Sequence, residues 1–132
     1  MTVETPTDPI YKVLVIDDER WFTSDQYRNM VAYARNSDDA LDCLSRGIRW
    51  NQVWFDHDLG PDDDIRRVVE WLEAEAYFGR RVDIGCCYIQ SRNPVGIEWI
   101  KAALEKHYKV IVSQNEQLVA TIPKWVQAYV DD

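Results

Sequence analysis

Five short apolar runs, at residues 12–16, 30–34, 52–55, 84–89 and 108–112, recur along the chain, and most of the stretches between them carry apolar residues at helical spacing. Runs that are apolar throughout, rather than at every second position, suit strands buried on both faces. Such strands alternating with helices form a parallel sheet covered on each side. The expected fold is therefore α/β, a three-layer doubly wound sheet of five parallel strands. Residues 10–132 read as one domain of this kind, after a polar tail at residues 1–9 that is expected to be flexible. With 132 residues, 46% of them hydrophobic, the chain can build one core but not two large ones.

The connecting segments carry their own signals. Ser37 is placed to cap a helix bearing Ala40, Leu41 and Leu44 on one side, with Gly47 as its stop. Gly60 and Pro61 turn the chain, and Asp62, Asp63 and Asp64 are expected to charge the start of a helix with Ile65, Val68, Val69, Leu72 and Ala76 toward the core. A further helix places Ile97, Ile100 and Leu104 on one stripe. The last segment is amphipathic through Leu118, Val119, Ile122, Trp125, Val126 and Tyr129, and Pro123 either starts a shorter helix or kinks a longer one. Between the first two strands lie only about a dozen residues, which is short for a crossover helix. A loop or short turn is predicted there, with Trp21, Phe22 and Tyr27 covering a thin face of the sheet.

Charge narrows the function. With 15 Lys and Arg against 23 Asp and Glu the formal net charge is -8, so general DNA binding through a basic face is not expected. No run approaches the roughly 20 apolar residues of a bilayer span, and residues 1–9 lack the basic start and apolar stretch of a signal peptide. A cytoplasmic protein without a membrane role is expected. Cys43, Cys86 and Cys87 lack metal-binding spacing and read as reduced core thiols.

In a doubly wound sheet all parallel strands end on one edge, where ligands bind. Here those ends are polar: Asp17, Asp18 and Glu19 after the first strand, Asp56, His57 and Asp58 after the third, Ser91, Arg92 and Asn93 after the fourth, and Ser113, Gln114 and Asn115 after the fifth. Alternation sends Asp56 and Asp58 one way and His57 the other, so Asp56 can meet Asp17 or Asp18. Carboxylates brought that close repel unless a divalent cation neutralises them, and an all-oxygen cluster suits Mg2+ or Mn2+. Asp17, Asp18 and Asp56 are the expected metal ligands. For His57 two roles stay open, a general acid or base near pH 7 and a half-buried histidine bonded to backbone. Ser91, Arg92 and Asn93 lead into a helix and either bind a phosphate or form an ordinary cap with Pro94 in the first turn; beside a metal cluster the phosphate reading is favoured.

Residues 12–19, Asp56 after an apolar third strand and Ser91 after an apolar fourth are similar to the receiver domains of two-component response regulators. That resemblance implies strand order 2-1-3-4-5, a divalent metal on Asp17, Asp18 and Asp56, Ser91 as the hydroxyl contacting a phosphoryl group, and Asp56 as the phospho-acceptor position. The chain departs from receivers where they carry a phosphoryl-binding lysine at the end of the fifth strand: Val112 and Ser113 stand there, and Lys109 lies at the strand's beginning. It departs again in its shortened or absent first crossover helix. Asp56, His57, Asp58, Leu59 and Gly60, with Ser91, Asn93, Pro94 and Gly96, resemble instead a receiver-like family proposed to process cyclic phosphates.

Three functions follow as expectations. The first is a metal-dependent pocket that binds or hydrolyses a cyclic phosphate of nucleotide type, as a phosphodiesterase or phosphoesterase with Asp56, His57 and Ser91 as catalytic residues. The second is a signalling receiver phosphorylated on Asp56. The third is a non-enzymatic interaction or inhibitor protein that meets a protein partner through Trp21, Trp50 or Trp99, the other reading of these rings being core packing.

Overall fold

The computed structural model describes residues 11–114, 117–120 and 122–130, the last three by backbone alone. The tail at residues 1–9, Asn115 and the Tyr129 side chain lie outside the described residues. Five strands, β1 (Val13–Ile16), β3 (Val31–Ala34), β4 (Trp50–Phe55), β5 (Ile84–Ile89) and β6 (Val110–Val112), form a parallel sheet in the order β3-β1-β4-β5-β6. Counted along the chain this is 2-1-3-4-5, the order of a doubly wound receiver or flavodoxin-like sheet. All four residues of β1 are buried, as expected of a strand with neighbours on both edges and cover on both faces.

Helices α1 (Ser37–Leu44), α2 (Arg66–Tyr77) and α3 (Pro94–Leu104) pack on one face. Leu14, Ile16, Val53, Phe55, Cys87 and Ile89 of the sheet meet Ala40, Leu44, Val68, Leu72, Ile100 and Leu104 of the helices. Each such side chain contributes roughly 1.5–3 kcal/mol when taken from water into the core.

The opposite face shows what the missing crossover does. Residues 19–29 form turns and a two-residue strand β2 (Trp21–Phe22), which pairs antiparallel with β7 (Leu118–Val119). This ribbon lays Phe22 and Leu118 on Val13, Val15 and Trp54, with Tyr27 and Tyr88 beside them. Trp125 of α4 (Lys124–Val130) donates from Nε1 to the Phe22 carbonyl at 3.1 Å. The predicted thin face covered by Trp21, Phe22 and Tyr27 is thus present, although Trp21 is only half-buried.

Several local expectations are corrected. The α1 cap is Asn36, not Ser37; its Oδ1 accepts from Asp39 N at 2.8 Å, and Ser37 N instead donates to Asp63 Oδ2. No acid lies in the first turn of α2, because Asp62 takes a left-handed conformation (φ 61°) and Asp64 bridges back to Asp58. At the C-terminal end the shorter of the two expected helices forms, beginning after Pro123, but Leu118 and Val119 leave the amphipathic segment and pair as a strand. Cys43 and Cys87 are buried free thiols, but Cys86 is half-exposed. Among the described residues no helix is long and apolar enough to cross a membrane.

Candidate functional site

The register places the acids. Ile16 of β1 stands beside Ala34 and Phe55, so the residues that follow, Asp17, Arg35 and Asp56, emerge together at the carboxyl edge. Asp17, Asp18 and Asp56 each present a carboxylate oxygen within 4.8 Å of the others, Asp17 and Asp56 buried and Asp18 exposed. Gly60, in a left-handed turn after β4, brings its loop beside this cluster; a Cβ there would stand 3.8 Å from Asp18 Oδ2.

Asp17 is held by its own turn. Its Oδ1 accepts from the backbone N–H groups of Glu19 and Arg20 at 3.0 and 2.9 Å. Its Oδ2 is buried without a hydrogen-bond partner, and Arg20 Nε stands 3.8 Å away. Burial pushes the Asp17 carboxyl above its usual pKa despite those N–H donors. Asp56 is pushed up to about 6, first by burial and then by the charge of Asp17, while a hydrogen bond from the Ser91 hydroxyl and the charge of Arg20 work the other way. A buried acceptor lacking a donor, set among mutually repelling carboxylates, is the environment a divalent cation relieves. The donor set fits Mg2+ or Mn2+.

The other expected residues divide. Ser91 reaches Asp56 and also accepts from Asn93 N at 3.2 Å. Asn93 caps α3: its Oδ1 accepts from Gly96 N at 2.9 Å, with Pro94 in the first turn. The ordinary cap is therefore formed, and Asn93 turns its amide toward His57, with Nδ2 3.5 Å from Nδ1. Arg92 is exposed on this loop.

His57 follows Asp56 but belongs to a second group. Its Nδ1 lies 3.0 Å from Asp58 Oδ1. The shorter of these two contacts favours a proton on Nδ1 shared with the carboxylate, leaving Nε2 as the nitrogen free to accept one. The ring lies against α3 where only glycine fits, since a Cβ at Gly96 would stand 2.5 Å from His57 Cγ. A cavity of about 320 Å³ opens here, lined by His57, Arg66, Asn93, Val95, Gly96 and Trp99.

Sequence reasoning missed two arginines at this edge. Arg20 brings positive charge to Asp17 and Asp56, and Arg35 reaches beneath the Asp17 turn. Both carried a readable signal, because each directly follows or closely trails a strand end on the loaded edge. Of the three tryptophans considered for a contact surface, Trp50 is buried and Trp21 and Trp99 are half-buried, so packing accounts for much of each ring.

The model of a family described as the cyclic-phosphate processing receiver domain matches residues 12–106. No curated protein matches the chain. Among solved structures, a fusion described as a yeast Spc42 trimeric coiled coil joined to another structure is similar at TM-score 0.51 and 16% identity, over 97% of this chain and 80% of that one. An identity that low speaks to fold alone.

Proposed function

We infer the activity from one premise, that the chain belongs to the cyclic-phosphate processing receiver family. The acidic pocket is read as a Mg2+ or Mn2+ site on Asp17, Asp18 and Asp56 that binds or hydrolyses a cyclic phosphate of nucleotide type. The observation that carries this reading is the Asp17 Oδ2 atom, buried without a partner beside two further carboxylates. When bound, a divalent cation polarises a phosphoryl oxygen and makes a bound water more acidic.

The chain's own residues take the remaining roles. Asp17 and Asp56 are fixed by backbone N–H groups and by Ser91, so the ligands need little reorganisation. The Ser91 hydroxyl is read as the phosphoryl contact, turning its single O–H from Asp56 to do so, and the loop it shares with Arg92 and Asn93 as the phosphate-binding wall. His57, oriented through Asp58, takes or returns a proton at Nε2. Incubating the protein with manganese and a panel of 3',5'- and 2',3'-cyclic nucleotides is expected to yield the phosphomonoester from at least one of them. Absence of both product and binding across the panel would sink the reading.

Asp56 also stands at the acceptor position of receivers, which supports a second reading as a phosphorylated switch. The third strand-end charge that switch needs is lacking, since Val112 and Ser113 occupy the place of the receiver lysine. Intact mass after incubation with magnesium and a small phospho-donor is expected to show no added phosphoryl group. A stoichiometric adduct lost in Asp56→Ala would move the second reading into first place.

A further inference from the structure

We propose that Arg35 is the positioning residue of the acidic pocket, a guanidinium clamp that sets the turn carrying Asp17 and Asp18 and so orients their carboxylates toward a cation. The proposal rests on the metal reading above. Arg35 follows β3 directly, at the level where Asp17 leaves β1, and Asp17 N donates to the Ala34 carbonyl at 3.1 Å. From there Nη1 donates to two carbonyls, that of Asp17 at 3.1 Å and that of Arg20 at 2.6 Å. These are the two ends of the turn. The N–H groups of Glu19 and Arg20 within it hold Asp17 Oδ1, which leaves Oδ2 for the cluster.

The guanidinium is itself fixed. Its carbon lies 4.4 Å from the Trp21 ring and 4.8 Å from the Tyr33 ring, so two aromatic faces hold the plane that the carbonyls require. A positive charge beside an acidic pocket would by itself oppose a divalent cation, and Asp17, Asp18 and Glu19 all act on this one. Geometry and charge therefore predict opposite effects, which makes the role separable. Both carbonyl bonds leave from Nη1, while Nη2 is buried without a hydrogen-bond partner. What a lysine, which keeps the charge, lacks is therefore the flat face held by the two rings. A glutamine loses the charge as well.

Manganese affinity, measured by calorimetry on wild type, Arg35→Lys and Arg35→Gln below their unfolding temperatures, decides the matter together with amide exchange at Glu19 and Arg20. The clamp predicts that both variants bind manganese about tenfold more weakly and that both amides exchange faster. Arg35→Gln binding more tightly than wild type, with Arg35→Lys unchanged, would show that only charge matters and overturn the proposal. So would a lowered unfolding temperature with affinity and exchange both unaltered. A wild type that binds no manganese overturns the metal reading and this role with it, whereas unchanged affinity in both variants removes the role alone.

Discussion

Asp56→Asn is expected to lose divalent-metal binding and metal-dependent turnover while folding more stably than the metal-free wild type at pH 7. The reason is the raised carboxyl. An aspartate at about 6 in the folded protein, against 3.8 in an ordinary setting, holds its proton more tightly folded than unfolded. Stability from this group is therefore fully present below pH 4 and is lost as pH rises toward 6 and beyond. The shift corresponds to about 3 kcal/mol, and burial of Asp17 acts in the same direction. Asparagine keeps the shape, can still accept from Ser91, and carries no charge to bury. Denaturant unfolding from pH 4 to pH 7.5 should show a falling curve for metal-free wild type, a flatter one for Asp56→Asn, and recovery by magnesium at pH 7 only in the wild type. Magnesium stabilising both proteins equally would remove the cation from this cluster.

That expectation shows which parts of the site were legible in the sequence. Strand register and the rule that parallel strands end on one edge were enough to bring Asp56 to Asp17 or Asp18. Both rules depend only on backbone geometry. Alternation did not hold past the end of β4, where Asp58 bonds His57 instead of facing away from it. Arg35 could have been picked out by its place after a strand end, but not its role, which lies in carbonyls 15 and 18 residues earlier, and a side chain's reach has no period. The same limit explains Asp63. Its neighbours Asp62 and Asp64 suggested a charged first turn, yet a left-handed residue redirects the loop and Asp63 serves α1 instead.

The fold divides along similar lines. Strand order comes from the receiver resemblance, whereas the strands themselves and the helices α1, α2 and α3 follow from apolar runs and helical stripes that the chain spells out locally. The other face does not, because it is closed by a pair of two-residue strands almost a hundred residues apart, each too short to show a period. Leu118 and Val119 fit a helical stripe equally well on paper. Pairing with Trp21 and Phe22 decided otherwise, since the sheet had no crossover helix to cover Val13, Val15 and Trp54.

Phe22 is consequently the residue on which that face depends most. Its side chain is 2% exposed, its ring stands edge-on to Trp54 at 5.2 Å and tilted to Tyr27 at 5.1 Å, and its carbonyl receives the Trp125 indole. Truncation to alanine removes the ring from a ribbon that has only Leu118 as its buried partner across the strands, so collapse into the gap is limited. The cost expected for Phe22→Ala is about 3–5 kcal/mol, a large share of the roughly 5–15 kcal/mol that holds a domain of this size folded. Phe78→Ala, which removes the same ring from a site 63% exposed, should change stability by less than about 0.5 kcal/mol. Because Arg20 and Trp21 immediately precede Phe22, loosening the ribbon should also weaken manganese binding at temperatures where the variant remains folded. Equal unfolding free energies for the two variants, measured in urea, would mean that the face lacking a crossover helix contributes little to the fold and that the three-helix side alone supports the acidic edge.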